Sequence, residues 1–484
     1  MCGIVGIYKD NNNVCSEIYD GLIQVQHRGQ DAAGISTWDG SKMHLQKELG
    51  LVTEAFKQEG SYSHLVGNIG IGHVRYPTAG SDDVSEAQPF HTANPVNITL
   101  AHNGTLINSE EVREKLVKTH FCQFNTNSDS EVLLNLFAYE LHKTKFRKLT
   151  NQHIYKALKG VFQKCQGGYA VTMLIAGIGL VAFRDPNGIR PLSIGKRKNS
   201  YMIASESSAL TALEFEVLSS VAPGQAIIIN EVGELFKRWV ARGDKHLPCL
   251  FEFVYFSRPD SNIDSISVHK TRLRMGDYLG ERIKNDYSNL GIDVVIPIPD
   301  TSRTAAMQVA YKLGVKYREG FMKNRYIGRT FIMPGQSIRK RTVKQKLNPI
   351  DIEFNNKNVL LVDDSVVRGH TSKRIIQMVK NSGARKVYFA SASPPIRFQN
   401  IYGIDMPATK ELIAHKRSIN QIKKAIGADE LIYQNLEDLK MAAHIGNPKI
   451  EEFEDSVFTG QYNVGTVTKE FLSSLEKSRL DSKR

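Results

Sequence analysis

The residues of this sequence that could do chemistry lie in two stretches, and the first is the amino terminus, MCGIVGI. If Met1 is removed, Cys2 carries a thiol and a free α-amine on one residue. An α-amine has a pKa near about 7.7–8.0, so it can take the proton of the neighbouring thiol. Cys2 is therefore a candidate nucleophile that brings its own base. The alternative is a small buried cysteine without a chemical role.

The second stretch, NVLLVDDSVVRGHTS, occupies Asn358–Ser372. The apolar run Val359–Val362 predicts a buried strand, and the helical periodicity after the stretch predicts a helix that ends near Gly383. Asp363, Asp364 and a turn of small and hydroxyl residues lie between them. Backbone N–H groups and the helix dipole at such a turn can bind a sugar phosphate, while carboxylates bind sugar hydroxyls or magnesium. An ordinary strand–turn–helix unit is the alternative.

The elements that must position Cys2 are predicted to be strands. Val5–Tyr8 is an apolar run, and residues 160–235 continue as apolar runs broken by turn signals, which favours strands joined by hairpins. We expect residues 2–235 to form one α+β domain with two stacked sheets between helices, an αββα sandwich. Residues 236–250 contain Gly243, Pro248 and mixed charges and are the expected boundary.

Strand and helix patterns alternate in the second half, starting from the aromatic run Phe251–Phe256. A helix is expected over about 269–287, a strand at Asp293–Pro299 and another at 386–392. This alternation predicts an α/β domain over residues 251–465 with a parallel sheet and with ligands at the carboxyl ends of its strands. Residues 466–484 are expected to form a helical tail.

Composition restricts the class of protein. No apolar run approaches the roughly 20 residues of a membrane helix, and the amino terminus lacks the features of a signal peptide. The five cysteines form no C-x-x-C pair, which favours a reducing cytoplasm over a disulfide framework or a zinc site. We therefore expect a cytoplasmic protein that does not bind membranes.

The positive charge is concentrated in one place. Residues 301–350 contain twelve Lys and Arg and one acid, Glu319, while the whole chain has a formal net charge of +13. A basic block can bind nucleic acid. Because this one lies directly before the phosphate-binding stretch, we expect a polyphosphate substrate and no nucleic acid. The part at 323–348 has few residues that would hold it to a core, so we expect a mobile lid.

Five motifs of the first half resemble the glutaminase domain of class II glutamine amidotransferases, in the same order and at similar spacing. They are MCGIVGI at residues 1–7, QHRGQD at 26–31, GHVRYPT at 72–78, AHNG at 101–104 and NSDSE at 127–131. The resemblance implies that Cys2 attacks glutamine, and that the Asn103 side-chain amide and the Gly104 N–H form the oxyanion hole.

The same resemblance implies a binding site for the glutamine substrate. Arg75 would bind the α-carboxylate through two parallel hydrogen bonds, a task that Lys performs poorly. Asp129 would receive the α-ammonium, and His73 would belong to the same site. Without the resemblance, Arg75 and Asp129 could equally be a surface ion pair.

The stretch VLLVDDSVVRGHTS resembles the phosphoribosyl pyrophosphate loop of type I phosphoribosyltransferases. The resemblance implies that Asp363 and Asp364 bind ribose hydroxyls and magnesium. His370 departs from the family, which more often has a small residue there, so its role stays open. The other loop residues implied to bind phosphoribosyl pyrophosphate are Ser365, Arg368, Gly369, Thr371 and Ser372.

Two further segments complete the implied phosphoribosyl pyrophosphate site. Asp300–Arg303 follows a predicted strand and resembles the pyrophosphate loop of the family, so that Ser302 would join the metal site. Lys323 and Arg329, from the basic stretch, would bind the same substrate.

The two resemblances together cover nearly the whole chain and imply one reaction. Glutamine would be hydrolysed at Cys2, and the ammonia would displace pyrophosphate from phosphoribosyl pyrophosphate to give phosphoribosylamine, the first committed step of purine synthesis. Family resemblance further implies magnesium, a homotetramer and feedback inhibition by purine nucleotides. Some relatives carry an iron–sulfur cluster and a propeptide. We expect neither here, because Cys2 follows Met1 and because Cys249 has no cysteine partners at Asn400 or within 444–460.

Three alternatives differ in what the second half does. A hexosamine-phosphate synthase would need sugar isomerase domains in place of the phosphate-binding stretch. A regulator that binds RNA through residues 323–346 would have no reason to keep Cys2, Arg75, Asn103 and Asp129. A glutaminase alone would have no use for the second half.

Overall fold

The computed structural model describes residues 1–10, 12–57, 62–76, 83–120, 122–323, 347–406 and 408–481. The strands of the first half are β1 (Gly3–Tyr8), β2 (Ala32–Trp38), β3 (Met43–Leu49), β4 (Ile69–Arg75), β5 (Phe90–Thr92), β6 (Ile98–Leu106), β7 (Gly167–Ile175), β8 (Gly179–Arg184), β9 (Ser193–Arg197), β10 (Ser200–Ala204), β11 (Glu216–Ser220), β12 (Gln225–Asn230) and β13 (Leu235–Trp239). Its helices are α1 (Cys15–Gln24), α2 (Val52–Ala55), α3 (Ser109–His120), α4 (Asp129–His142), α5 (Asn151–Lys164) and α6 (Ser207–Ala212), with 3₁₀ turns at Gln26–Arg28 and Val84–Glu86.

These strands form two antiparallel sheets that pack face to face. One sheet has the order β11-β9-β10-β1-β4-β2-β3 and the other β13-β12-β8-β7-β6-β5. Apolar residues of both sheets, such as Ile4, Ile71 and Leu174, share one buried core. The outer face of the first sheet packs on α1 and α6, and that of the second on α4 and α5. The predicted αββα sandwich is confirmed.

The second half is built on a parallel sheet. Its strands are β14 (Asn262–Ile263), β15 (Ile266–Ser267), β16 (Val294–Pro297), β17 (Lys316–Tyr317), β18 (Phe321–Lys323), β19 (Leu347–Pro349), β20 (Asn358–Asp363), β21 (Lys386–Ser391) and β22 (Glu430–Tyr433). Five of them form a sheet of order β17-β16-β20-β21-β22, in which every neighbouring pair is parallel. The predicted parallel sheet is therefore confirmed.

Helices cover both faces of this sheet. They are α7 (Val268–Asp286), α8 (Arg303–Leu313), α9 (Asp351–Phe354), α10 (His370–Asn381), α11 (Ile419–Ile426), α12 (Leu436–His444), α13 (Ser456–Thr459) and α14 (Lys469–Asp481), with 3₁₀ turns at Ser288–Leu290 and Thr409–Glu411. Along β20, Leu360 and Val362 pack toward α7 and α8, while Val359 and Leu361 pack toward α10 and α11. This alternation follows from the two-residue period of a strand and explains why the run is apolar throughout.

The aromatic run Phe251–Phe256 departs from the expected alternation. Residues Glu252–Phe256 form a turn of π-helix and not a strand. Phe251, Glu252 and Phe253 are all buried. The helical turn places Glu252 beside Arg28, where it is needed as a counter-charge, so tertiary contacts override the strand preference of the aromatic residues.

Two buried ion pairs join the halves of the chain. Arg28 Nη2 lies 2.8 Å from Glu252 Oε2, and the Arg28 Nε–H also donates to Glu206. Arg184 binds Asp264 through two contacts, Nη1–Oδ1 at 2.6 Å and Nη2–Oδ2 at 2.8 Å. Burial alone would raise the pKa of Asp264, but the Arg184 guanidinium outweighs burial and holds that pKa below its usual value.

The expected domain limits at 235, 251 and 465 stay a prediction. Strand β13 lies at the edge of the six-stranded sheet and extends it to Trp239, four residues past the first of these limits. Among the helices that the structure describes, none has the length and apolar character needed to cross a membrane.

We predict that Asp264→Asn lowers the free energy of unfolding by about 3 kcal/mol, because it leaves the buried Arg184 charge without a counter-charge. Asn tolerates the left-handed backbone at this position, where φ is +49°. The matched control is Asp260→Asn, which removes an exposed partner of Arg258 and should cost less than about 1 kcal/mol. The measurement is urea unfolding, and equal shifts in both variants would contradict the role given to the Arg184 pair.

Candidate active sites

Cys2 directly precedes β1, which is the central strand of the seven-stranded sheet. Its backbone N–H donates to Asn103 Oδ1 at 3.2 Å, and its Sγ lies 3.9 Å from the carbonyl oxygen of Tyr76. The thiol is half-buried. The structure therefore brings together the predicted nucleophile and the predicted oxyanion-hole amide, which are 101 residues apart in sequence.

The side-chain amide of Asn103 has one group, Nδ2, that could donate a hydrogen bond to a ligand. Its Oδ1 accepts the Cys2 N–H, so its Nδ2 points away from the Cys2 backbone. Asn103 is completely buried, and its Nδ2 has no hydrogen-bond partner among the described residues. A buried amide donor without a partner is costly and therefore rare. It fits a site in which a substrate oxygen supplies the missing acceptor.

The backbone N–H of Gly104 points away from the neighbouring strand β7. Gly104 on β6 is paired with Tyr169 on β7. Tyr169 uses its N–H and its carbonyl on Asp185, at 3.2 Å and 2.8 Å, on the side of β8. In an antiparallel pair the two groups of a residue point to the same side, so the Gly104 N–H is directed to the side opposite β7. It is a second donor available next to Asn103.

Arg75 ends β4 and is held by an acid of the QHRGQD motif. Its Nη1 lies 2.7 Å from Asp31 Oδ2, and both side chains are largely buried. The backbone supports the same contact, because the Asp31 N–H donates to the Arg75 carbonyl at 3.0 Å. Asp31 thus fixes one side of the guanidinium that is predicted to bind the α-carboxylate of glutamine. The position of Asp31 in the QHRGQD motif did not by itself indicate this role.

Asp129 is the first residue of α4, and each of its two carboxylate oxygens has a neighbour that orients it. Its Oδ2 accepts the N–H of Leu106 at 2.9 Å, and its Oδ1 lies 3.4 Å from Ser130 Oγ and 3.8 Å from His102 Nδ1. Leu106 follows Gly104 on the same strand, so Asp129 is close to the predicted oxyanion hole. About a quarter of the Asp129 side chain stays exposed, at 23%. That exposed part is available to a ligand.

Ser130 is the centre of a buried network that the sequence analysis missed. The backbone N–H of His102 donates to Gln88 Oε1 at 2.7 Å. The other end of that amide, Gln88 Nε2, donates to Ser130 Oγ at 3.0 Å. Ser130 Oγ also lies 2.9 Å from His102 Nδ1. If His102 carries its proton on Nδ1, Ser130 accepts two hydrogen bonds and its only proton is left for Asp129. The AHNG and NSDSE motifs contain His102 and Ser130, but Gln88 lies outside all five motifs, and only the fold shows that the three residues touch.

His73 lies on β4, two residues before Arg75. The two side chains are therefore on the same face of the strand. His73 is completely buried. Burial and the neighbouring Arg75 charge lower the pKa of His73 to about 3, so its ring is neutral at ordinary pH. Burial also lowers the pKa of His102.

Arg28 does not belong to this site, although it lies in one of the five motifs. It is 1% exposed and pairs with Glu206 and Glu252 at the contact between the two halves. Met1 is buried beside it, with its sulfur 3.9 Å from Arg28 Nη1 and 2.8 Å from Arg190 Nη1. Met1 also belongs to a buried cluster with residues of the second half such as Leu250 and Phe253.

The second candidate site lies at the carboxyl end of β20, as predicted. Asp363 ends the strand, and its Oδ1 accepts the N–H of Asp364 at 2.9 Å. The Ser365 hydroxyl donates to Asp364 Oδ1 at 2.7 Å. Burial and the adjacent Asp364 charge raise the pKa of Asp363 well above its usual value. Two carboxylates this close favour a bound cation, which removes their mutual repulsion.

The turn after the two acids opens α10. Gly369 takes a left-handed φ of +75°, which lets the chain turn into the helix, and a methyl group there would lie 2.2 Å from Ile413 Cδ1. Ser372 is buried in the first turn, while Arg368, His370 and Thr371 are exposed. Arg368 Nη2 lies 3.4 Å from Glu411 Oε2. The predicted phosphate-binding residues are thus gathered at a helix amino terminus, where N–H groups are free to bind an anion.

Asp300–Arg303 lies at the end of the neighbouring strand, β16. The Pro299–Asp300 peptide is cis. Asp300 pairs with Lys323, and the Ser302 hydroxyl donates to the carbonyl of Ile298. Ser302 is 1% exposed. Arg329 and most of the predicted lid at 323–348 lie outside the described residues.

A divalent cation fits the donors of the second site. Within the described parts of the chain, no group of three His, Cys, Asp or Glu side chains is positioned to hold a metal ion. Magnesium is bound in proteins by one or two carboxylates and completes its shell with water and substrate phosphates. Asp363 and Asp364 offer that set of oxygens.

Comparison with known families matches both halves. A glutamine amidotransferase domain matches residues 73–212, and a phosphoribosyl transferase domain matches residues 266–393.

Several curated proteins match along their whole length. An amidophosphoribosyltransferase of Pseudomonas aeruginosa is 53% identical over 486 residues, which cover 100% of this chain and 97% of that protein. The amidophosphoribosyltransferase of Escherichia coli is 53% identical over 99% of this chain and 96% of that protein. The one of Saccharomyces cerevisiae is 49% identical over 99% and 95%.

Two solved structures match the fold of the whole chain. The glutamine phosphoribosylpyrophosphate amidotransferase of B. subtilis, complexed with ADP and GMP, has a TM-score of 0.84 and 36% identity, and the match covers 97% of this chain and 98% of that one. A structure described as the allosteric regulatory enzyme of purine biosynthesis has a TM-score of 0.86 and 36% identity, covering 98% and 99%.

We predict that Ser130→Ala raises KM for glutamine by about tenfold, because a hydrogen bond to a charged group contributes about 1.5–3 kcal/mol. Asp129 would keep its Leu106 contact but lose the hydroxyl that orients its second oxygen. Steady-state kinetics of glutamate release should show the change in KM, with kcat reduced less. Ser130→Thr, which keeps a hydroxyl, should restore KM. An unchanged KM in Ser130→Ala would mean that the network serves folding alone.

Proposed function

The chain belongs to the amidophosphoribosyltransferase family, and we propose how its residues divide the reaction between two sites. The enzyme hydrolyses glutamine and transfers the ammonia to phosphoribosyl pyrophosphate, which gives 5-phosphoribosylamine in purine biosynthesis. The assignment of Cys2 as nucleophile rests chiefly on one observation, its contact with the buried Asn103 amide. The three alternatives above are set aside, because amidophosphoribosyltransferases that are 53% identical match 99–100% of this chain and 96–97% of their own length.

Glutamine hydrolysis begins at Cys2 after removal of Met1. The free α-amine takes the thiol proton, and the thiolate attacks the carboxamide carbon of glutamine. The oxygen of that group becomes an oxyanion, which receives hydrogen bonds from Asn103 Nδ2 and from the Gly104 N–H. The carbon–nitrogen bond then breaks and the nitrogen leaves as ammonia. Water hydrolyses the remaining thioester and releases glutamate.

The glutamine substrate is oriented by charges at both ends of its α-carbon. Arg75 binds the α-carboxylate, and Asp129 accepts hydrogen bonds from the α-ammonium. Asp31 and Ser130 hold these two side chains in place. His73 contributes as a neutral buried ring beneath Arg75 and not as a charged ligand. This arrangement selects an amino acid and places its carboxamide at Cys2.

Phosphoribosyl pyrophosphate binds at the carboxyl ends of β16 and β20. Asp363 and Asp364 bind the ribose hydroxyls, and together with Ser302 they are the residues that would hold magnesium. The backbone and side chains of Ser365, Arg368, Gly369, Thr371 and Ser372 bind the 5-phosphate, and Lys323 and Arg329 bind the pyrophosphate. When bound, magnesium supplies positive charge to the leaving pyrophosphate. Ammonia attacks the anomeric carbon from which the pyrophosphate leaves, and phosphoribosylamine forms.

We propose further properties from the sequence and from one related structure. Purine nucleotides are proposed to inhibit the enzyme, because the B. subtilis structure contains ADP and GMP. A homotetramer, the absence of an iron–sulfur cluster and a cytoplasmic location are proposed from the sequence. All five cysteines are free, which suits a reducing compartment.

We predict that Cys2→Ala abolishes synthesis from glutamine and keeps synthesis from added ammonia, because the nucleophile and the phosphoribosyl pyrophosphate site lie in separate halves. The measurement is pyrophosphate release with each nitrogen source. Cys122→Ala is the matched control and should keep both activities. An equal loss of both activities in Cys2→Ala would refute the division of the reaction into two sites.

We predict that Asp363→Asn and Asp364→Asn reduce synthesis from glutamine and from ammonia alike, by at least about tenfold, which corresponds to about 1.4 kcal/mol of binding free energy. Both variants should also need more magnesium for half-maximal synthesis. Glutamate release without phosphoribosyl pyrophosphate should be unchanged. Asp351→Asn, an exposed acid of the same half, is the control. A parallel fall of glutamate release in a folded variant would show that the two acids are structural.

A further inference from the structure

Gly403, from the second half of the chain, lies against Gly104 of the proposed oxyanion hole. A methyl group on Gly403 would lie 2.8 Å from the Cα of Gly104 and 3.1 Å from its carbonyl carbon. Both atoms belong to the backbone, so they cannot move aside as the end of a flexible side chain can. Gly403 has a φ of +109°. A glycine is therefore required at this position both for its backbone conformation and for the close approach.

Gly104 has no room to retreat from Gly403. A methyl group on Gly104 would lie 2.1 Å from the carbonyl oxygen of Gly168 and 2.7 Å from the Cα of Tyr169, both on β7. The backbone of Gly104 is thus enclosed between β7 of its own half and Gly403 of the other half. The direction of its N–H depends on both neighbours.

Gly403 itself is held rigidly. Asn400 Oδ1 accepts the N–H groups of Tyr402 and Ile404, at 2.8 Å and 3.0 Å, which fixes the turn on both sides of Gly403. The Tyr402 hydroxyl donates to the carbonyl of Val464 at 2.8 Å. Asn400, Tyr402 and Ile404 are at most 1% exposed. The turn is part of the buried core of the second half and not a loose surface loop.

We propose that Gly403 is a positioning residue for glutamine hydrolysis, and that the second half of the chain completes the oxyanion hole by holding Gly104 from behind. This inference rests on the proposed role of Gly104. A displacement of Gly104 by a few tenths of an ångström would misalign its N–H with the oxyanion, which forms only in the transition state. The effect should therefore appear in kcat and not in the binding of glutamine.

The test is Gly403→Ala in the full-length enzyme, with glutamate release measured at saturating phosphoribosyl pyrophosphate. We expect kcat to fall by about tenfold to a hundredfold, somewhat less than the loss of a complete oxyanion-hole donor. KM for glutamine should stay within about twofold, and ammonia-dependent synthesis in the same preparation should be unchanged. The retained synthesis also shows that the second half is folded.

Three further variants make the result decisive. Gly427→Ala has a similar positive φ of +78° but open space around the new methyl group, so it should change neither activity. Asn400→Ala loosens the turn without adding volume, and it should also lower kcat for glutamate release, by a smaller factor. Asn103→Ala is the reference for loss of a donor.

The outcomes separate the inference from the proposed function. If Asn103→Ala lowers kcat while Gly403→Ala and Asn400→Ala leave it unchanged, the oxyanion hole stands and the role of Gly403 is wrong. If Asn103→Ala has no effect on kcat, the oxyanion hole itself is wrong. A rise of KM alone in Gly403→Ala, or a parallel loss of ammonia-dependent synthesis, would overturn the inference as well.

Discussion

The buried charge of Arg28 is the constraint on which the arrangement of the two halves depends. Its guanidinium is almost completely enclosed, and it is neutralised by Glu206 from the first half and Glu252 from the second. Burial alone would raise the pKa of Glu252, but Arg28 and Arg190 outweigh burial and hold it below the usual value, so the acid is ionised. A buried charge without its partner costs several kcal/mol, and the two partners of Glu252, Arg28 and Arg190, both lie in the first half, so this acid favours the docked arrangement.

Apolar contacts also hold the two halves together, through the hydrophobic effect. Met1, Ile107 and Ile189 of the first half belong to one buried cluster with residues around the parallel sheet of the second, such as Phe253 and Leu360. The core of the second half therefore continues into the first, and separating them would expose apolar surface to water. Ile107 directly follows Leu106, whose N–H binds Asp129, so this shared core reaches the first candidate site.

The sequence predicted what depends on local pattern and on motifs. The apolar run Val359–Val362 predicted β20, and the motifs indicated Cys2, Asn103 and Asp129 as candidate site residues. The partners of Arg28 could not be predicted, because Glu252 is 224 residues away and lies in a run with strand-like composition that folds as a helical turn. The contact of Gly403 with Gly104 could not be predicted either, since a glycine in a loop does not indicate which backbone it touches.

These contacts together explain why hydrolysis and synthesis belong in one chain. Ammonia attacks only as the neutral molecule, so hydrolysis without a nearby acceptor loses it to water as ammonium. In this fold the second half lies against the first candidate site: Arg28 pairs with Glu252, Ile107 lies in the shared core, and Gly403 lies against Gly104. Because Gly104, the proposed oxyanion-hole residue, lies against Gly403, we expect glutamine hydrolysis to reach its full rate only when the half that consumes ammonia is attached.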